Sequence, residues 1–222
     1  MNKTFQILAS SFLLMVICNV ALAKDRRPHT DDDHMIPVNG RIEVAYEKLL
    51  NRRLFVTRAN YARIVTLASP ASVGELAIAI YSKRNNENEA WITITRAERN
   101  LWAAEFGEDP SFPKVPAVKV TRRDASFPTS TATAVSTAIG RMLDQSRPLS
   151  KNGRIIVDAT DIEFSLEKQQ GRRVRALLTP DAQGPQTSAL RRLTRLIEEY
   201  CEAPPAMQPN IAKQIETEAK RR

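Results

Sequence analysis

The feature that most constrains the fold is a two-residue alternation of apolar and polar side chains in residues 161–166 and 173–178. Its apolar set comprises Ile162, Phe164, Leu166, Val174, Ala176 and Leu178, and only Leu177 departs from the alternation. Successive side chains of a β-strand point to opposite faces of a sheet, so this pattern predicts two half-buried strands over residues 160–166 and 172–178. The short polar segment between them predicts an antiparallel hairpin.

A register for this hairpin follows from matching side chains across the two strands. The register that sets Phe164 opposite Val174 also sets Glu163 opposite Arg175. Apolar side chains then meet on the inner face, and acid meets base on the outer, solvent-facing side. The sequence therefore predicts this register.

Three further segments repeat apolar residues at the spacing of an amphipathic helix. The apolar positions are Ile42, Ala45, Tyr46, Leu49 and Leu50 in the first, Val135, Ala138, Ile139, Met142 and Leu143 in the second, and Leu190, Leu193, Ile197, Tyr200 and Cys201 in the third. Each stripe must be buried against another element. We therefore expect about three helices, all packed on a sheet.

The remaining β-rich segments complete the predicted fold. Strands are expected over residues 63–67, 75–81, 90–95, 117–121 and 154–157, with a turn over 85–89. The order of helices and strands predicts an α+β fold, in which two helix-plus-meander halves share one mainly antiparallel sheet. A dinucleotide-binding fold is not expected, because no βαβ alternation with a Gly-rich turn occurs.

The first 23 residues have the organisation of a secretory signal peptide. Lys3 precedes an apolar stretch centred on residues 12–18, and Ala21-Leu22-Ala23 is the small-x-small pattern that signal peptidase cuts. The apolar run is shorter than the ~20 residues needed to cross a bilayer. We expect cleavage after Ala23, a periplasmic or secreted protein, and no membrane span after cleavage. Basic residues just beyond the run leave an uncleaved anchor as the alternative, because positive charge there opposes export.

The exported chain is expected to comprise an arm, one domain and a tail. Residues 24–35 are polar and lack an apolar pattern, which predicts a flexible arm. Residues 36–203 carry the patterned segments and predict a single α+β domain. Three prolines then interrupt the chain, and the charged residues 204–222 predict a frayed tail.

Cysteine is sparse in this chain. Cleavage would remove Cys18 and leave Cys201 alone in an oxidising compartment. Cys201 lies on the apolar stripe of the third helix, where a buried, inert thiol is the ordinary arrangement. An unpaired cysteine in a secreted protein also permits an intermolecular disulfide, and hence a homodimer, if that end of the helix is exposed.

Both histidines lie in the arm, and that placement removes several classes of enzyme. Because His29 and His34 are the only two, a Ser-His-Asp or Cys-His mechanism in the domain would lack its base. Zinc held by histidine in the domain is excluded for the same reason. The arm offers three aspartates between its histidines, but their spacing matches no closed metal site. We therefore expect neither a metal nor a cofactor.

Carboxylate chemistry remains as the enzymatic alternative. The candidate acids are Asp158, Asp161 and Glu163 at a strand turn, and Glu105, Glu108 and Asp109 near Trp102. A glycosidase needs two acids that flank a cleft. The strand acids already have structural explanations in turn formation and in pairing with Arg175. We expect a non-catalytic protein, and a carboxylate-dependent hydrolase of an envelope polymer is the second hypothesis.

The basic charge of the chain favours a binding function. The 33 basic and 25 acidic residues give a net charge of +8, and 23 of the basic residues are arginine. Planar guanidinium groups match carboxylates and phosphates. Aromatic residues do not interleave with the arginine clusters, so no nucleic acid is expected as a partner. The candidate binding residues are Arg122, Arg123, Arg173, Arg175, Arg191, Arg192 and Arg195.

These observations predict an exported protein that binds an acidic protein or an anionic envelope polymer. Signal cleavage would remove only Lys3 among the charged residues, leaving 32 basic and 25 acidic residues and a charge of +7. The function expected is that of an inhibitor, immunity or envelope-associated factor. A scattered basic surface without a specific partner is the alternative, since a sequence does not show which arginines converge in space.

Overall fold

The computed structural model describes residues 33, 35–38, 44–55, 59–67, 74–83, 86–106, 117–148, 160–168 and 172–221. The segment predicted as a signal peptide, both histidines and the strand predicted over residues 154–157 lie outside these ranges. The strands within them are β1 (Ile36–Pro37), β2 (Ala62–Leu67), β3 (Leu76–Lys83), β4 (Asn86–Ala97), β5 (Val120–Phe127), β6 (Asp161–Glu167) and β7 (Arg173–Leu178). The helices within them are α1 (Val44–Leu54), α2 (Leu101–Phe106), α3 (Thr129–Asp144), α4 (Pro185–Glu202) and α5 (Gln208–Ala219).

The described strands form one antiparallel sheet in the spatial order β1-β7-β6-β2-β3-β4-β5. Strands β2 to β5 follow one another as a meander, and the β6–β7 hairpin joins this meander where β6 pairs with β2. At that junction Ile64 lies opposite Phe164. The predicted α+β fold with a mainly antiparallel sheet is confirmed. Two described helices, α2 and α5, were not predicted, and β4 begins within the expected turn at 85–89.

The β6–β7 hairpin is present, but its predicted register is wrong by two residues. Phe164 lies opposite Ala176 rather than Val174. A shift of two residues keeps every side chain on its own face, so alternation alone does not distinguish the two registers. Glu163 still reaches Arg175 diagonally across the strands.

One face of the sheet, which we call the helical face, is covered by α3, α4 and α5. Large apolar side chains fill it, and Ile64, Ile78, Ile92 and Phe164 are fully buried there. Burying a side chain of this size stabilises a fold by about 1.5–3 kcal/mol. The helical face therefore holds the main hydrophobic core.

The opposite face of the sheet, which we call the α1 face, is covered by α1 and α2. Leu50 and Leu54 of α1 pack with Val65 and Ala77 of the sheet. Strand β3 is apolar on both sides, as is typical of a strand covered on both faces. Gly74 lies just before β3, and only glycine fits there because a Cβ would lie 2.2 Å from the carbonyl oxygen of Ala97 in β4.

The C-terminal segment predicted as a frayed tail is instead the packed helix α5. Its residues Ile211, Ile215 and Ala219 repeat at four-residue spacing and are buried on the helical face. Pro209 occupies the first turn of α5, where the missing backbone N–H removes no helical hydrogen bond. The proline that suggested an interruption of the chain is therefore compatible with the start of a helix.

The arm predicted at the N-terminus is also wrong at its last residues. Met35 is fully buried in the main core. The carboxylate of Asp33 accepts hydrogen bonds from the backbone N–H groups of Gln186 at 3.1 Å and Thr187 at 2.8 Å, at the start of α4. A negative charge is favourable at this end of a helix. Local composition does not reveal this contact, because the residues that bind Asp33 lie about 150 positions further along the chain.

Candidate binding site on the C-terminal helices

The predicted binding arginines lie on three separate elements. Their positions are β5 for Arg122 and Arg123, β7 for Arg173 and Arg175, and α4 for Arg191, Arg192 and Arg195. Strands β7 and β5 are five strand spacings apart in the sheet, a distance of about 24 Å. The seven arginines therefore do not form one basic surface.

The two arginines of β5 point to opposite faces because they are consecutive in a strand. Arg122 donates to the carboxylate of Asp124, with its Nε at 3.2 Å and its Nη2 at 3.1 Å from Oδ1. Arg123 and Arg173 are both exposed. These residues add positive charge on β5 and β7, and none of them lines the cavities formed by the C-terminal helices.

Arg175 is committed to an ion-pair network beneath α1. Its Nε and Nη2 each donate to Glu163 at 2.9 Å, and its Nη1 donates to Glu47 of α1 at 2.8 Å. Burial by itself lowers the pKa of Arg175, but the hydrogen bonds and charges of the two glutamates raise the pKa above its ordinary value. Glu163 is buried, so its predicted position on a solvent-facing side is wrong. The network connects α1 to the sheet.

Arg63 of β2 lies beside this network. Its guanidinium carbon is 3.4 Å from the centre of the Phe55 ring, and its Nη2 donates to Asn51 at 2.7 Å. Burial, reinforced by the nearby Arg173, lowers the pKa of Arg63 to about 10. The group remains charged at neutral pH and stacks on an aromatic ring, an arrangement that guanidinium favours.

Of the acids predicted as candidates for a hydrolase, two form ion pairs and three lie outside the described residues. Glu163 is bound by Arg175, and Glu105 pairs with Arg52 at 2.8 Å on an exposed surface. Asp158, Glu108 and Asp109 lie outside the described residues. In the described part of the chain, no group of three or more His, Cys, Asp or Glu side chains is placed to hold a metal ion.

Glu75 is a buried acid that the sequence reasoning missed. Its carboxylate accepts hydrogen bonds from the Tyr46 hydroxyl at 2.6 Å and from the backbone N–H of Leu101 at 2.8 Å. Burial, together with the hydrogen bond and charge of Glu75, raises the pKa of Tyr46. Glu75 therefore joins α1 to the first turn of α2, and its role is structural.

Helices α4 and α5 form a helical hairpin whose outer side carries a groove of about 500 Å³. We call it the hairpin groove, and its charged lining residues are Arg192, Arg195, Glu199, Lys213, Glu218 and Arg221. The prediction included two of these residues, Arg192 and Arg195. Lys213 and Arg221 were missed because α5 was expected to be frayed. The apolar spacing of residues 211, 215 and 219 was the signal that could have revealed them.

The hairpin groove is positively charged at its base and at its rim. Glu218 is only 6% exposed, and it accepts bonds from Arg192 at 2.7 Å and Arg221 at 3.1 Å. Two guanidinium groups thus share one carboxylate. The side chains of Arg195 and Lys213 are exposed and make no hydrogen bond or salt bridge with other described residues. The groove can therefore accept additional negative charge.

Arg191 has a different role from the other arginines of α4. Its Nη1 donates to the carbonyl oxygen of Ala182 at 2.7 Å, and its Nη2 donates to that of Thr179. Burial lowers the pKa of Arg191. This residue fastens the loop after β7 to α4 and does not line the groove.

Cys201 is partly buried against the main core. Burial, followed by the nearby Glu202 and Asp124, raises the pKa of Cys201 to about 12. Disulfide exchange requires the thiolate, so this environment disfavours the intermolecular bond that an unpaired cysteine permits.

No family model matches the chain, and neither a curated protein nor a solved structure shows significant similarity to it. Among the described helices, none has the length and apolar character required for crossing a bilayer. The molecule is therefore classified by its own architecture, an α+β protein with a central antiparallel sheet.

Proposed function

We propose that this protein is exported and acts without catalysis, by binding an acidic segment of a partner protein in the hairpin groove. The observation that carries the proposal is the charge of the groove, where four basic side chains face two acidic ones. Such a protein would serve as an inhibitor, immunity or envelope-associated factor. An anionic envelope polymer is the other source of negative charge, and the experiment below separates the two.

The chemistry of the groove favours carboxylates over diffuse negative charge. Guanidinium groups form paired hydrogen bonds with carboxylates, while a lysine contributes a mobile point charge. Arg195 and Lys213 come from different helices, so together they can contact acids spaced along one peptide. Leu196 adds an apolar side chain to the same lining. A peptide that alternates acidic and aliphatic residues matches this lining.

Export is supported by the first 23 residues, whose pattern ends in Ala21-Leu22-Ala23. Expression of the full chain in a bacterium, followed by N-terminal sequencing of the extracytoplasmic fraction, tests this part of the proposal. The expected new N-terminus is Lys24. Full-length protein in the membrane fraction would instead support the uncleaved anchor.

Binding is tested with a fluorescent peptide of alternating glutamate and leucine, titrated with the purified protein and followed by anisotropy. The double substitution Arg195→Glu with Lys213→Glu should weaken binding at least about tenfold, a change of about 1.4 kcal/mol. The matched control is Lys119→Glu with Arg123→Glu near β5, which changes the net charge equally. Binding by the unmodified protein should also weaken as salt screens the exposed charges.

Three results would overturn the assignment of the groove. An equal loss in both double variants would indicate diffuse attraction to the whole basic protein. An absence of peptide binding would remove the proposed function. Tighter binding of an anionic polysaccharide, in the same assay and with the same dependence on Arg195, would assign the groove to a polymer.

A further inference from the structure

We infer that a second cavity, bounded by α3, α4 and α5, binds a small carboxylate with an apolar body, such as an aliphatic acid of about eight carbons. The cavity has a volume of about 310 Å³ and adjoins the hairpin groove, since Glu218 and Arg221 line both. The inference does not depend on the proposed function of the groove.

The cavity exists because small side chains meet where the three helices come together. Ala138 of α3, Ala189 of α4 and Ala219 of α5 all line it, and Met142, Leu190 and Leu193 complete the apolar part. Gln145, Gln186 and three charged side chains line the rest, so only the apolar part favours a hydrocarbon over water. Its volume corresponds to about ten waters, at about 30 Å³ each, or to a chain of similar heavy-atom number.

The rim of the cavity carries positive charge. Arg141 of α3 donates from its Nη2 to the carbonyl oxygen of Ala219 at 2.6 Å, which holds its guanidinium beside the opening. Arg221 lies at the same rim and donates from its Nε to Glu218 at 3.1 Å. Since Glu218 also binds Arg192, this one carboxylate does not balance the surrounding guanidinium groups.

These two parts of the cavity specify the chemistry of its ligand. The alanines and leucines of the lining select a hydrocarbon body, because each buried methylene of the ligand stabilises the complex. Arg141 and Arg221 select a negative head, since each guanidinium retains several N–H donors beyond the bond described. Inorganic phosphate would leave the apolar part unused, and a neutral hydrocarbon would leave the arginines unused.

The test is isothermal titration of the purified protein with octanoate, octanol and butyrate. Octanoate should bind at one site. Octanol has the same chain without the charge and should bind about tenfold more weakly, the loss of one charge-assisted interaction. Butyrate is four methylenes shorter and should bind at least about 100-fold more weakly.

Two substitutions locate the binding. Ala189→Trp fills the cavity from a partly exposed position and should abolish octanoate binding, while Arg141→Gln should weaken it about tenfold. Arg195→Gln, which changes only the hairpin groove, should leave it unchanged. Circular dichroism confirms that each variant folds, and Ala189→Leu replaces the tryptophan variant if that one does not.

The inference would be overturned if octanoate did not bind, if butyrate and octanoate bound with equal affinity, or if a folded Ala189 variant bound octanoate as tightly as the unmodified protein. A protein that binds octanoate but not the acidic peptide would retain this site and lose the proposed function. The reverse result would retain the function of the groove alone.

Discussion

The two faces of the central sheet are both covered, but different chemistry stabilises each. The helical face buries isoleucine and phenylalanine side chains beneath α3, α4 and α5. The α1 face places alanines and charged groups beneath shorter helices, with Glu75 and Glu163 buried there. Buried polar groups cost free energy unless they are hydrogen-bonded, and both glutamates have such partners. A polar side of an alternating strand is therefore not always a solvent-facing side.

The comparison predicts that truncation on the helical face has the largest effect on stability. Ile215→Ala removes a fully buried side chain of α5, and the free energy of unfolding should fall by about 2–5 kcal/mol. Urea denaturation measures this change. Lys213→Ala, on the exposed side of the same helix, is the control and should change it by less than about 0.5 kcal/mol. Similar small effects from both would restore the prediction of a frayed C-terminal segment.

A smaller effect is expected from breaking the ion-pair network on the α1 face. Arg175→Gln leaves Glu163 buried without its cation, and the free energy of unfolding should fall by about 2 kcal/mol. We expect less than for a fully buried pair, because Arg175 is 19% exposed and Glu47 is 34% exposed. Adding Glu163→Gln should recover part of the lost free energy of unfolding, since the effects of substitutions at contacting residues are not additive. Strict additivity of the two losses in denaturation measurements would show that the pair does not act as a unit.

The smallest effect is expected for an exposed ion pair near the same face. Arg52 and Glu105 join α1 to α2 at 2.8 Å, but their side chains are 66% and 48% exposed. Arg52→Gln should change the free energy of unfolding, measured by urea denaturation, by less than about 0.5 kcal/mol, because water and salt screen the pair. A loss comparable to that of Arg175→Gln would show that geometry matters more than burial on the α1 face.

The candidate site was only partly predictable, and the hairpin groove shows why. Arg192 and Arg195 were recognised because they follow the polar side of a clear amphipathic helix. Lys213 and Arg221 were not, because prolines and charge outweighed the four-residue spacing of Ile211, Ile215 and Ala219. The charge of Arg175 predicts a binding residue, but its three hydrogen bonds to carboxylates connect α1 to the sheet. Local composition identifies the residue type and does not identify the partner.

The sequence by itself determined three of the described helices, most of the strands and the strand faces that hold the main core. Period-two and helical repeats are local, so they specify the β6–β7 hairpin and the helices α1, α3 and α4. Only the tertiary structure decided the register of that hairpin, the burial of Glu163 and the packing of α5. Each of these depends on a neighbour distant in sequence, such as β2 beside β6. The same holds for the basic groove, whose charge arises only when α4 and α5 pack together.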